Sequence, residues 1–507
     1  MIEPLPTSER CPVNVRTADE TEMQQVMQGQ FGDWQQWHDY AVKLLTDAFD
    51  IRHLNGQDSY GYDKDMHNSG ALEVTPGGGV MAYAQGRQIL NVSLGYSDMG
   101  ARLMWTPDTI SALRSCSKII TAVALFDMIN RGYLNMSDIA DSYVDYSNWP
   151  TGGKPGLGAQ TIANLMSHRA KSGGIMWKKS ARSHRDAMGM LDSKNDFWNW
   201  SLDNIDKWGP GSGGDVPHPG SGGDYDGVNE NGACIYEDHN YIFLAQIMEA
   251  ALAGANPATA GAVSAGGDLN ETYEGYCEKY VLKPLGMADT YFSATGAPQI
   301  INAIADHGKK QLHNTGFRSY FGNPLNCHVA APHFCVAGHG EPYNNKIYRG
   351  FLDNTPDRVI GSGNWFSTLN DLSKLFLGIE GLIGAENYAL MNAKVGPNRQ
   401  GKEPPGSFQP NWYGYGMGLN DFPADESLPV PGETYAIATG VWLGYACIMQ
   451  RSLETDITII YHGIRNSLND VAEGVVGKVG PDQKGPGQIL IPIFAEAVRK
   501  FGAAPMA

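Results

Sequence analysis

The chain has 507 residues, 42% of them hydrophobic and 18% charged, with a formal net charge of -17. That composition is that of a globular protein with a sizeable core and excludes wholesale disorder. Surplus negative charge with no basic stripe repels polyanions, which argues against a nucleic-acid partner and against docking on anionic lipid.

No apolar run is long enough to span a bilayer, and residues 1–17 lack the apolar stretch of a signal peptide, so the cytoplasm is the default compartment, a secreted mature form staying open. The seven cysteines, Cys11, Cys116, Cys234, Cys277, Cys327, Cys335 and Cys447, are scattered without a Cys-x-x-Cys. That predicts neither a dense disulfide framework nor a zinc site.

In chain order, residues 19–53 carry Trp37, Tyr40, Leu44 and Leu45 at near-helical spacing, so 1–70 reads as a helical lead-in followed by a loop. Segments 79–84 and 88–96, separated by Gln85-Gly86-Arg87, predict an antiparallel hairpin. Residues 115–130 are apolar almost throughout, as a buried helix is, with Gly132 placed to end it. The Gly- and Pro-rich stretch 208–233 reads as an irregular insertion within a mostly helical subdomain at about 140–360, and 233–252 returns to a helical pattern. Segments 435–449 and 456–461 predict two further strands, and 489–501 a closing helix. Strands at both ends with helical material between them predict an α+β fold: an antiparallel β-sheet flanked by helices, with a large mostly helical insertion, in one catalytic unit over 71–507.

The chemistry centres on Ser115 and Lys118. In a helical segment, side chains three apart share a face, and a serine becomes a nucleophile when a neighbour takes its proton. A lysine can do so only with a depressed pKa, and the apolar run after Lys118 offers the burial that depresses it. The competing reading makes Ser115 the helix N-cap and Lys118 a solvated first-turn residue.

Context bears on the choice. Gly95-Tyr96, Thr109, Arg114-Ser115-Cys116-Ser117-Lys118, Gly132-Tyr133-Leu134 and Asp138, then Leu165-Met166-Ser167-His168, Tyr236-Glu237-Asp238, Lys283-Pro284-Leu285-Gly286-Met287, Ser367-Thr368-Leu369 and Tyr413-Gly414-Tyr415-Gly416 follow one another in order. This series resembles the serine β-lactamase and penicillin-binding-protein superfamily, especially its class C-like esterase branch of family VIII type, or a related acyltransferase, over about residues 77–501.

The resemblance implies a Ser115 nucleophile, with Tyr236 in the position of the family's Tyr-x-Asn tyrosine, a base or proton relay, and Lys118 as the cation that steadies its phenolate. Packing ahead of the helix is the plainer reading of Tyr236. Two positions depart from the family pattern. Asp238 stands where Asn is usual, an anion expected to keep Lys118 charged and leave Tyr236 as the base. Ala438-Thr439-Gly440, ahead of a strand over 445–449, stands where Lys-Thr-Gly or its relatives are usual, and without a cation at 438 a substrate carboxylate loses its partner. The resemblance also implies an oxyanion hole of two backbone N–H groups, Ser115 and one near Val441 or Trp442.

Trp177, Trp198, Trp200 and Trp365 are pocket candidates for which core packing is the default. Asp224-Tyr225-Asp226-Gly227 lacks the glutamate of a calcium loop, His168 looks structural, His239 and His462 lack metal-ligand spacing, and Cys116 reads as a small core residue. The expectation is therefore a serine hydrolase of ester-type carbonyls, ester or lactone with amide left open, working through a Ser115 acyl-enzyme. It would take a small-molecule acyl substrate and no cofactor or metal. Acyl transfer to an alcohol or amine, a D-aminopeptidase or β-lactamase type of peptidase, and a non-catalytic binding or scaffold member are the alternatives.

Overall fold

The computed structural model describes residues 4–5, 36, 39, 71–73, 77–98, 103–144, 159–170, 234, 236–254, 272–292, 333–336, 347–349, 360–363, 365–398, 410–421, 434–442 and 445–463. The predicted lead-in, the insertion at 208–233, the polar loop at 224–227 and the closing helix lie outside these, apart from isolated residues.

The described part is α+β. Nine strands form one sheet: β1 (Gly77–Ala84), β2 (Arg87–Asp98), β3 (Leu103–Met104), β4 (Gly396–Pro397), β5 (Trp412–Tyr413), β6 (Gly418–Asp421), β7 (Thr434–Trp442), β8 (Tyr445–Ser452) and β9 (Ile457–Gly463), in the order β4-β5-β6-β7-β8-β9-β1-β2-β3. Each neighbouring pair is antiparallel, and β1 from the start of the chain lies beside β9 from its end. The predicted hairpin is β1–β2, turning at Gln85-Gly86. Where sequence suggested one strand over 435–449, there are two, β7 and β8, which pair from Tyr435↔Ser452 to Trp442↔Tyr445. The apolar run is continuous across the break because both strands are central to the sheet, and Gly444 is its one sequence mark. Ala438-Thr439-Gly440 lies inside β7 and ahead of β8, which begins at Tyr445 as the strand expected over 445–449 does.

Helices cover the sheet: α1 (Ser117–Asn130), α2 (Ile162–Met166), α3 (Asp238–Leu252), α4 (Tyr273–Cys277) running into a π-helical turn (Glu278–Leu282), α5 (Leu369–Ile383) and α6 (Ala385–Met391). α1 is buried on every side from Ser117 to Met128, as its lack of a polar face predicts. Each of Ile119, Ile120, Val123, Leu125 and Phe126 is at most 1% exposed, and each contributes about 1.5–3 kcal/mol of apolar burial. α5 begins where the Thr368 hydroxyl accepts the Asp371 N–H at 3.1 Å. Trp365 is wholly buried and donates Nε1–H to the Tyr273 hydroxyl at 3.1 Å, a core residue, while Trp177, Trp198 and Trp200 fall outside the described residues. Cys116, Cys234, Cys277 and Cys447 are buried free thiols. Among the described residues no helix is long and apolar enough to cross a membrane.

Candidate active site

Ser115 sits not on α1 itself but in the 3-10 turn Arg114–Cys116 that feeds it. The turn is held by Leu113 N–H donating to the Trp365 carbonyl at 2.9 Å and Cys116 N–H to the Leu113 carbonyl at 3.1 Å. Arg114 has φ of 52°, a left-handed conformation that costs a bulky residue of order 1–3 kcal/mol and is tolerated at sites that must present a neighbour. The helix start has no side-chain cap, so Ser115 is not spent as one.

Lys118, in the first turn of α1, is 5% exposed. Its Nζ lies 3.1 Å from Ser115 Oγ, 2.5 Å from the Tyr236 hydroxyl, 2.5 Å from Asp238 Oδ1 and 3.1 Å from the Ser362 carbonyl. The Tyr236 hydroxyl is 2.6 Å from Ser115 Oγ and 3.2 Å from Asp238 Oδ1, and the Ser362 hydroxyl donates to Asp238 Oδ1 at 3.3 Å. Four oxygens therefore surround a nitrogen with at most three protons. In the amine form two N–H groups donate and the lone pair can accept from Tyr236 or Ser115, which still serves three of the four oxygens at a time.

Burial pushes the Lys118 ammonium below the ordinary lysine range, and Asp238 opposes that shift without overcoming it. The Tyr236 phenol is driven well above its usual value, first by burial and then by the Asp238 charge. At Lys118 the lowering by burial, which the apolar run of α1 supplies, is larger than the raising by the Asp238 anion that the sequence reading weighed. Burial thus disfavours the charged form of each group relative to water, the ammonium of Lys118 and the phenolate of Tyr236.

Ser362 was not foreseen from sequence. It belongs to a short buried turn (360–363) clamped onto α1, where Thr121, one turn beyond Lys118, donates its hydroxyl to the Gly361 carbonyl at 2.6 Å. Gly361 has φ of +80°, and a Cβ there would stand 2.5 Å from the Tyr241 carbonyl, so only glycine lets the turn come close enough to aim the Ser362 carbonyl at Lys118. The Gly-Ser-Gly of 361–363 ahead of Trp365 is its only sequence signal.

Tyr236 precedes α3, outside its hydrogen-bond ladder. Its ring rests on His168 (centroids 4.8 Å apart) and stacks on Tyr413 (6.2 Å). Ala438-Thr439-Gly440 lies across Ser115 on β7. A Cβ built on Gly440 would fall 1.9 Å from the Leu113 carbonyl oxygen, 2.8 Å from Cys116 N and 3.0 Å from Ser115 N, so glycine alone lets β7 lie flush against the Ser115 turn. Ala438 shares that face by alternation and brings no charge; Thr439 turns to the other face. Val441 and Trp442 pair with Ala446 and Tyr445 at the end of β7, beyond Ile437, where β6 stops accompanying the strand. Among the described residues no group of acidic, His or Cys side chains could hold a metal ion.

The structure thus brings Ser115, Lys118, Tyr236 and Asp238 into one hydrogen-bonded cluster and sets Gly440 beside it. A family model described as Beta-lactamase matches residues 66–202 and 229–473. Esterase/beta-lactamase LipL of Mycobacterium tuberculosis (strain ATCC 25618 / H37Rv) is 27% identical over 100 residues, 20% of this chain and 22% of that protein, so the match spans about a fifth of that relative's length. The octameric penicillin-binding protein homologue from Pyrococcus abyssi is similar in fold, with TM-score 0.52 and 18% identity over 83% of this chain and 77% of that one. So is the D-amino acid amidase from Ochrobactrum anthropi SV3, with TM-score 0.54 and 14% identity over 92% and 99%. With the family model matching most of its length, the chain belongs to the beta-lactamase family.

Proposed function

We propose that the chain is a serine hydrolase that cleaves uncharged ester-type carbonyls of a small-molecule acyl substrate through an acyl-enzyme on Ser115. The reading is carried by the triangle of Ser115 Oγ, Tyr236 hydroxyl and Lys118 Nζ, with sides of 2.6, 2.5 and 3.1 Å. Each side is within reach of proton transfer. The Ser115 proton passes to the Tyr236 oxygen as the phenol proton passes to the Lys118 amine. No phenolate accumulates, and the ammonium that forms is met by Asp238. Ser115 Oγ bonds to the carbonyl carbon, and the oxyanion takes the Ser115 backbone N–H and a second N–H from the end of β7 near Val441. Collapse breaks the bond to the leaving alkoxide, which takes back the proton through Tyr236. Water then repeats the sequence on the acyl-enzyme and releases the acid.

The preference for an uncharged substrate rests on Ala438: β7 offers no cation on the face beside Ser115, so an anionic substrate would leave its carboxylate desolvated without a partner there. A serine-directed fluorophosphonate, mapped by mass spectrometry, is expected to label Ser115. Ser115→Ala is expected to lose that label and to lower turnover of a short-chain p-nitrophenyl ester by about 10⁴-fold or more. No adduct on Ser115, or turnover that survives the substitution, refutes the proposal.

A further inference from the structure

Tyr236 poses a positioning problem. Its oxygen must stay within hydrogen-bond distance of both Ser115 and Lys118, yet the residue stands two places before α3, and Glu237 at the helix N-cap (φ −144°, ψ 126°) caps nothing with its own side chain. The ladder of α3 therefore fixes neither Tyr236 nor the Glu237 N–H.

Three hydrogen bonds stitch this helix start to the last residue of α2 and the turn after it. Tyr241 donates its hydroxyl to the Met166 carbonyl at 2.9 Å, and Asn240 Nδ2 donates to the Ala170 carbonyl at 3.4 Å. Both act inside α3. The third, from Glu237 N–H to His168 Nδ1 at 3.2 Å, grips the backbone directly after Tyr236. The same imidazole packs against Tyr236 at 4.8 Å, Tyr413 at 5.0 Å and Tyr241 at 5.2 Å between ring centroids. His168 itself is held at φ of 56°, a conformation that disfavours most side chains and that a core-filling residue would not need.

We propose that His168 is the positioning residue of Tyr236: Nδ1 holds the Glu237 N–H while the ring braces the phenol, which together keep the Tyr236 oxygen between Ser115 and Lys118. The inference rests on the acyl-enzyme reading above. Burial, with Lys118 nearby, lowers the His168 pKa to about 3, which favours the neutral ring, and the Glu237 N–H selects the tautomer whose Nδ1 accepts.

The test compares the wild type with His168→Asn, whose Oδ1 can take the place of Nδ1 and which tolerates positive φ, and with His168→Phe, which keeps a ring and loses the acceptor. Readouts are kcat and KM on p-nitrophenyl acetate, the rate of fluorophosphonate labelling of Ser115, and Tm. His168→Phe is expected to lose about 10²-fold in kcat and in labelling rate with KM unchanged, and His168→Asn to recover most of both. Should His168→Phe fail to fold, His168→Gly, unstrained at that φ, is expected to show the same loss. Wild-type rates in His168→Phe or His168→Gly, or an Asn variant as impaired as Phe, overturn the assignment and leave the acyl-enzyme reading standing. A wild type whose Ser115 takes no label overturns both.

Discussion

On one side of Ser115, α1, the start of α3 and the turn at 360–363 crowd a lysine, a tyrosine, an aspartate, a hydroxyl and a carbonyl into mutual contact. On the other side, β7 approaches as bare backbone, with Ala438 and Gly440 facing the Ser115 turn. The difference separates two tasks that a serine hydrolase must perform. Under the proposed function the first wall would move a proton and would need an acceptor whose charge can change at low cost. The second would hold the carbonyl oxygen and whatever the substrate carries beside it, and would do so here without a side-chain charge.

The largest effect is expected from removing the centre of the first wall. Lys118→Met preserves the length of the side chain and takes away the proton acceptor; turnover should fall by about 10³-fold, within the usual range for a lost general base. It also strands the Asp238 carboxylate, whose side chain is 15% exposed, and breaking a buried pair by one partner costs about 3–5 kcal/mol. The double substitution Lys118→Met with Asp238→Asn separates the two roles: thermal melts should recover most of the stability while ester turnover stays lost. Recovery of turnover would show that the wall is a structural ion pair and not a proton path.

A smaller and directional effect is expected from Asp238→Asn alone. Asp238 raises the Lys118 pKa against the larger lowering by burial. Without the anion, Lys118 becomes easier to deprotonate, so the acid limb of kcat/KM, which reports the free enzyme losing that proton, should move to lower pH. The same loss relieves Tyr236, whose pKa Asp238 helps to raise. A limb that moves upward, or stays in place, would assign it to another group.

The two walls also differ in how far they can be read from residues in a row. Ser115 and Lys118 are neighbours on one turn, so their spacing alone places them together. Tyr236 and Asp238 are two residues apart and come within reach of Lys118 through ordered motifs. Ser362 reaches Lys118 across 244 positions and through its carbonyl, which every residue type has, so no side-chain pattern marks it. His168 was visible, but its part in holding the Glu237 N–H depends on a turn at positive φ that histidine does not announce. The division of 435–449 into β7 and β8 was hidden because the apolar run continues across both central strands, and the balance of charge at Lys118 because the apolar run of α1 announces burial but not its size against the Asp238 anion.

Ala438→Lys sharpens the second wall at the smallest expected effect. Alternation sends the side chain at 438 to the face that carries Gly440, toward the nucleophile turn, so the substitution places a flexible cation near the entering carbonyl without touching the Ser115, Tyr236, Lys118 cluster. Rates on a neutral p-nitrophenyl ester and on one ending in a carboxylate should be compared as a ratio, which cancels any general loss of activity. A single charge-assisted hydrogen bond formed in the transition state is worth about 1.4 kcal/mol, or tenfold, in favour of the anionic ester. A ratio that does not change would mean that β7 does not face the variable part of the substrate. The discrimination would then lie elsewhere in the site, and the bareness of this strand would serve only its close approach to Ser115.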